Sequence, residues 1–484
     1  HRAGGMRGKD GDLPGYLPLC LTVILSLYLA LMDSARRNGA GLEALCAAEA
    51  GMQSVMAEYH RELSRQYNLF AVDSSYGTKS SGRGRTGEHL AEYVRRNLDC
   101  GDVLLGGYLY RDFFGLCLES AEVSGVSLMT DGNGAVFRRR AIEAVRDDVG
   151  LHLLEELKGW MQSVRVNGLD APDTETERRE LEKELEGYNG REIETLDGES
   201  VQVEIQNPAE ALEEVSRQGI LRLTVADCES LSAAVINSGG LIQSRMAQGK
   251  NSLGNLETTQ ADSLTDRFFF QEYLLRYMGS YGDEREEDVL KYQIEYLIAG
   301  NDSDVDNLRS VAGRICAIRE AANALYLLSS SEKRLEIQGA ALVACGLLLL
   351  PWLIPVLEAA ILLGWAFAES VYDVKSLLSG GCIPLLKDDD SWHYGLETAL
   401  KGDLGEATAE GEGLSYRDYL RILMFLTDLD VLTARAMNMV EADIRLTQGN
   451  GNFRLDACCD RLEMQVEISS SFGYAFQIQR ERSY

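Results

Sequence analysis

A charge-free, largely apolar run extends from Leu17 to Met32 (Leu-Pro-Leu-Cys-Leu-Thr-Val-Ile-Leu-Ser-Leu-Tyr-Leu-Ala-Leu-Met). It holds 16 residues, or 18 with Gly15 and Tyr16, against the 20 or so that a membrane-spanning helix needs. Asp33, Arg36 and Arg37 follow directly, and a proline-free helical pattern then continues through Gly41–Tyr59 to Tyr67-Asn68. The pattern predicts one helix over 17–67, roughly 75 Å long at 1.5 Å per residue. Upstream, Arg2, Arg7 and Lys9 resemble the charged end of a secretory signal. Ser34-Ala35 is the sole small-residue pair suited to cleavage, and Asp33 and Arg36 crowd it. The expectation is therefore a retained anchor through Leu17 to Met32, with a cleaved signal and a buried core helix as the alternatives. Basic residues lie on both flanks, so the positive-inside rule leans only toward an inside N-terminus and an extracytoplasmic bulk.

Further along, Asp73–Gly84 reads as a loop, with Thr86 as the N-cap of a short helix. Ala121–Met129 alternates like a strand, Asp131-Gly-Asn-Gly134 has turn chemistry, and Ala135 to Arg165 reads as one amphipathic helix. Phe268–Tyr277 and Val289–Ile298 are helical. Ser303-Asp-Val-Asp306 has capping-box spacing before a helix that runs to about Leu328, and Ser329-Ser-Ser-Glu332 caps the next. A second apolar block, Ala340 to Ala368, contains Glu358 as its single charge. Pro351 and Pro355 split it into arms too short to span alone, which favours a buried hairpin or kinked core helix over a second span. The helix continues to Leu378, and Gly380-Gly381 stops it. Ser415-Tyr-Arg-Asp418 and Thr427-Asp-Leu-Asp430 offer two more capping boxes. Leu462–Ile468 and Tyr474–Gln479 then alternate as a β-hairpin that could pair with the strand near Val123.

The predicted fold is α+β and predominantly α-helical, with a long N-terminal helix, a helical body and a small antiparallel sheet. The divisions are 1–33 (flank and anchor), 34–169 (helix extension, first strand, long helix), 170–214 (acidic insertion), 215–414 (helical body including 340–368) and 415–484 (C-terminal helices and hairpin). Residues 170–214 carry 16 acids and 4 bases, a net of −12, and read as an exposed, partly disordered or helical insertion.

Over the whole chain, 76 acids against 47 Lys and Arg leave a formal charge of −29, which excludes nucleic acid as the natural partner. None of the ten cysteines forms a CxxC pair, and most sit among apolar neighbours; the adjacent Cys458-Cys459 is a poor disulfide on geometry. Free thiols are expected. The five histidines (His1, His60, His89, His152, His393) form no HExxH and no pair at metal spacing. Asp302-Ser-Asp-Val-Asp306 has the start of a calcium loop, but Asn307 and Gly313 stand where glycine and glutamate are needed, so capping explains it better. Asp388-Asp-Asp390 reads as a solvated loop, Ser330-Ser-Glu-Lys333 as a cap rather than a nucleophile motif, and Arg138-Arg-Arg140 as exposed helix surface or a patch for anionic lipid or an acidic partner. Glu358, if buried, is the costliest charge. No catalytic, cofactor-binding or metal residue is assigned, and no small-molecule substrate is evident.

Five stretches carry a family resemblance: Leu31-Met-Asp-Ser-Ala-Arg36; Met56–Phe70; Lys291–Asp304 with Leu327–Lys333; Leu363–Lys375 with Ile383–Lys387 and Ser391-Trp392; and Tyr416–Leu423 with the terminal hairpin. Through them the chain resembles an uncharacterised domain-of-unknown-function family of clostridial-type Gram-positive bacteria. Members of that family are encoded beside Tad/Flp pilus genes and are distantly similar to the TadE and TadG pseudopilin-like proteins. The resemblance implies a non-enzymatic envelope protein at the cell membrane whose partners are other pilus or pilus-assembly proteins. One departure is that pilin-like helices keep an acid within the apolar run, whereas here Asp33 lies past its end. That leaves a membrane-held accessory role, with an anchored cell-wall hydrolase or a two-span membrane protein as alternatives.

Overall fold

The computed structural model describes residues 13–484 except 100–103, 106–107, 110–112, 151, 171–173, 189–191, 195–199, 203–217, 226, 248–262, 347–350, 403 and 406–410. In chain order the principal elements begin with α1 (Leu13–Met56), α2 (Arg61–Tyr67), β1 (Val72–Asp73), α3 (Arg83–Leu98), β2 (Leu116–Leu128), α4 (Asp131–Glu143), α5 (His152–Val166) and α6 (Thr174–Tyr188). They continue with α7 (Leu264–Tyr277), α8 (Gln293–Ala299), α9 (Asp304–Ser329), α10 (Ser331–Gly346) and α11 (Ile354–Leu378). The chain closes with α12 (Tyr416–Leu426), α13 (Leu429–Leu446), β3 (Cys458–Ser470) and β4 (Ala475–Ser483). The fold is thus α+β and predominantly helical.

Helix α1 changes character along its length. Residues 16–32 are exposed, whereas Ala40, Ala44, Ala47, Ala48, Met52 and Val55 are buried at helical spacing against α3 and the sheet. Small side chains let the helices approach closely: a Cβ on Gly51 would lie 2.5 Å from Val94 Cγ2 of α3. The helix does not run to residue 67. It ends at Met56, because the Tyr59 backbone bridges to Val72 and the His60 amide bonds to Ala71 O at 2.9 Å. His60 Nδ1 then accepts from Leu63 N to cap α2, and Asn68 ends α2 in the left-handed conformation (φ 51°). Strand pairing outcompetes a local helical preference here.

The hairpin forms as predicted, with longer strands. β3 is central and antiparallel to both neighbours, with Val123 opposite Met464 in β2 and Arg480 opposite Met464 in β4. β1 joins the same edge as β4, Val72 facing Cys459. Alternation buries Leu462, Met464, Val466 and Ile468 against α1 and α3.

Several local expectations shift for identifiable reasons. The 135–165 helix is two helices. α4 packs on α7, where Phe137 meets Phe270 edge-on at 6.1 Å, and α5 turns onto α12. The 131–134 turn is real: Gly132, Asn133 and Gly134 all have positive φ. Gly134 (φ +80°) is also closely approached, since a Cβ there would meet Thr433 Cγ2 at 2.7 Å. Thr86 is not a cap; α3 starts earlier, with Gly82 at its N-cap, and Thr86 is buried within it. Helix α8 begins only at Gln293, because Val289 N, Lys291 N and Tyr292 N donate to the carboxylates of Asp443 and Asp304 instead. Ser303 is the N-cap of α9 without a side-chain bond, so the expected capping box does not form there. Before α13 the cap is Asp428 rather than Thr427, accepting from Asp430 N at 3.0 Å and Val431 N at 3.1 Å. The Ser415–Asp418 capping box forms as predicted, and Ser330 Oγ accepts from Lys333 N at the start of α10.

The second apolar block is kinked, as its prolines require: α10 ends at Gly346, Pro351–Leu353 forms a 3-10 turn, and α11 starts beside Pro355. Among the described residues two helices are long and apolar enough to cross a membrane, α1 and α11; the most apolar window of α1 is wholly exposed, whereas that of α11 is 67% buried inside the protein. The nine described cysteines are free thiols, and Cys100 lies outside the described residues.

Candidate functional site

The most concentrated chemistry in the body lies where α9, α11 and the 384–394 segment meet. α11 presents Glu369 and Asp373 one turn apart, and α9 presents Arg319 and Asn323 at the same spacing. Lys387 enters from the loop, and its ammonium contacts the Glu369 carboxylate and lies 2.6 Å from Asp373 Oδ1. Arg319 Nε donates to Asp373 Oδ2 at 2.9 Å, and its Nη1 donates to Pro384 O, Leu385 O and Tyr419 Oη. Asn323 joins Arg319 to Asp373, while His393 N and Tyr394 N donate to the two oxygens of Glu369, each at 2.9 Å. The side chains of Glu369, Asp373, Arg319 and Lys387 have no solvent exposure.

Two cations balance two carboxylates, and a ring of indoles and phenols closes the cluster. Trp365 and Trp392 both donate to Tyr394 O at 2.8 Å, and Tyr372 stacks on His393 with Oη 2.5 Å from Nε2. Burial alone pushes the Asp373 carboxyl up, but Arg319 and Lys387 overcome it and hold the group below the usual range. A carboxylate ion-paired to two buried cations and held below the usual range is a poor proton acceptor. The arrangement fastens α9, α11 and the loop together. Glu358 is partly exposed on a groove, so the condition of burial is not met there; the costly buried acids are Glu369 and Asp373 on the same helix. The signal was present in the sequence as two acids four apart in an apolar helix, with Lys387 isolated in Ile383-Pro-Leu-Leu-Lys387.

The Arg138–Arg140 cluster is not a free basic surface. Arg138 is buried and donates to Thr433 Oγ1 and Asp430 Oδ1, while Arg139 and Arg140 both pair with the wholly buried Asp460 of β3. These guanidiniums are consumed in joining α4 to α13 and the sheet. Arg245 similarly bridges Glu441 and Asp456. The Asp302–Asp306 run does not converge either, since Asp304 turns inward to Ser232 and backbone amides while Asp306 pairs with Arg309. Among the described residues no three His, Cys, Asp or Glu side chains gather as metal ligands.

Among the described residues, two carboxyls are lifted to about 7. Burial lifts Glu295 from 4.5 to about 7, against the hydrogen bonds it accepts from Tyr416 Oη and Tyr281 N. Burial and the nearby Asp443 charge lift Asp288 to about 7. A folded-state pKa above the unfolded value means that folding takes up a proton. The stabilisation is then complete below about pH 4.5 and is lost as pH rises toward 7. We expect stability to fall by up to about 3 kcal/mol across that window, at 1.4 kcal/mol per unit. Glu295→Gln should flatten the difference between pH 5 and pH 8 in denaturant melts; an unchanged slope would assign the effect elsewhere. Asp373 and Asp456, held below the usual range, act only at more acid pH.

An open groove of about 960 Å³ runs between α6, α9, α10 and α11. Leu325, Leu328, Ile337 and Leu362 line its floor, and Glu177, Glu180, Glu184 and Glu358 face it together with Arg334. α6, the described helix of the acidic insertion, is moored there by Arg178, which pairs with Glu320 at 3.0 Å and stacks on Phe367. The groove offers apolar contact and negative charge, and none of its lining residues is a serine, cysteine or histidine.

These features define a helical α+β body carried on an apolar N-terminal helix, with its buried ion pairs spent on packing. The chain belongs to the DUF5702 family of unknown function, which it matches over residues 198–470. That span includes the ionic cluster and all of β3 but neither α1 nor β4. No curated protein and no solved structure matches the chain.

Proposed function

We propose that this protein is a non-enzymatic, membrane-anchored envelope component, a structural or assembly part of a Tad/Flp-type pilus of a clostridial-type Gram-positive bacterium. The observation that carries the anchoring is the division within α1. Its first half is apolar and wholly unburied, and the same unbroken helix then packs into the body through Ala40–Val55. Leaving so large an apolar surface in water is unfavourable, so a bilayer or another apolar partner covers it. A single anchor suits α11 as well, because that helix already packs on α9 and α10. The pilus assignment rests on the resemblance of the quoted stretches.

The test is fractionation of intact cells. Surface fibres are sheared off, and the fibre, membrane and cytosol fractions are immunoblotted for this chain. We expect membrane signal, which marks an assembly or anchoring factor; signal in the sheared fibres would make it a minor subunit. A purely cytosolic signal would overturn the proposal.

A further inference from the structure

We infer that the face of the body surrounding the exit of α1 is a lipid-contact surface, with Phe113 and Phe472 resting at the headgroup level. The inference rests on the anchor reading and adds to it how the body meets the bilayer. The apolar run ends at Met32, and the next turns of α1 are already gripped by the sheet. Tyr474 Oη bonds to the Asp33 carboxylate. The Arg36 guanidinium lies 4.3 Å from the centre of the Phe472 ring. A Cβ on Gly39 would come 2.8 Å from Phe114 Cζ, and one on Gly41 would come 3.1 Å from Phe476. The β3–β4 turn and the residues leading into β2 therefore flank α1 immediately beyond its apolar run. Those two segments are themselves tied, Ser470 Oγ donating to Phe114 O at 2.6 Å and Ser471 N to Gly115 O at 2.9 Å.

Position along the helix fixes depth. Arg36 is four residues past Met32, about 6 Å along the axis. Each headgroup layer is roughly 5–8 Å thick, so an α1 crossing near the membrane normal carries Arg36, and Phe472 stacked on it, into that layer. Phe472, at this depth, is 46% exposed, and Phe113, beside the Phe114 that touches Gly39, is 75% exposed. Aromatic rings are favoured at this depth, and Arg36 with the exposed Arg37 places positive charge where lipid phosphates lie. The helix has no break between Leu13 and Met56, so the body is held upright rather than tethered on a swivel.

Single tryptophans read the contact directly. The full-length protein is reconstituted in phosphatidylcholine–phosphatidylglycerol vesicles whose acyl chains are brominated, which quenches nearby indole emission. Phe472→Trp, Phe113→Trp, Tyr28→Trp in the anchor and Tyr59→Trp are compared with the parent, whose four tryptophans give the background. Tyr59 is exposed just past the far end of α1, about 35 Å beyond Asp33. The expected result is quenching at 28, 472 and 113 with none at 59. Quenching at 28 alone would overturn the lipid-contact surface and leave the anchor standing. Quenching at 59 as well as at 472 would mean a body lying flat, which also overturns it. Absence of quenching at 28 would bring down the anchor reading, and this inference with it.

Discussion

Asp373→Ala is expected to destabilise the protein by about 3–5 kcal/mol, the cost of stranding buried charge without its partner. Both Arg319 and Lys387 lose their shared counter-ion, in a place where neither has solvent exposure. For a body of this size the thermal midpoint should drop on the order of 10 °C, at a few degrees per kcal/mol. Lys387→Met should be comparably damaging, because Glu369 and Asp373 would then repel each other across one helical turn. Combining Asp373→Ala with Lys387→Met removes one charge of each sign, so the pair should cost clearly less than the sum of the two single changes. Glu358→Ala, on the groove, is the control and should stay within about 0.5 kcal/mol. Denaturant melts of the four variants decide it. A loss below about 1 kcal/mol for Asp373→Ala would mean that the cluster is wet and behaves like a surface pair.

The second large effect separates the proposed anchoring by the first half of α1 from the packing of its second half. Leu25→Arg places a charge in the apolar run at a penalty of about 2.5–3.5 kcal/mol for insertion. That variant should move substantially from the membrane fraction to the soluble fraction while the body keeps its melting point, because Leu25 touches no core. Ala48→Leu should do the reverse. Ala48 is wholly buried against the α3 and sheet core, so added methyl groups overpack it, at about 1–3 kcal/mol. Melting should fall and fractionation should stay as in the parent. If Leu25→Arg instead unfolded the body, residues 17–32 would be part of its core and not an anchor.

How legible this was depends on the range of the interaction. The long apolar N-terminal helix, the terminal hairpin, the kink at Pro351, the Ser415–Asp418 box and the stop at Gly380-Gly381 were all readable, since each is set by neighbours within a few residues. The failures share a cause. α1 ends earlier and α8 begins later than their local patterns predict because partners from a distant strand or distant carboxylates take the backbone amides. Arg138–Arg140 looked like surface because a charge run usually is one, and Asp460 lies more than 300 residues away in sequence. Glu369, Asp373, Arg319 and Lys387 were individually visible but unpaired on paper, as pairing among four elements is not encoded in local spacing.

By itself the sequence determined the apolar helix, the helical bulk, the alternating hairpin and the excess of negative charge, because periodicity and composition act through local geometry and total solvation. Only the tertiary structure decided which charges are buried and paired, where the acidic insertion is moored, and that the hairpin turn grips α1 at its exit from the apolar run. Those outcomes depend on contacts between residues far apart in sequence, whose energies exist only once the chain has closed on itself.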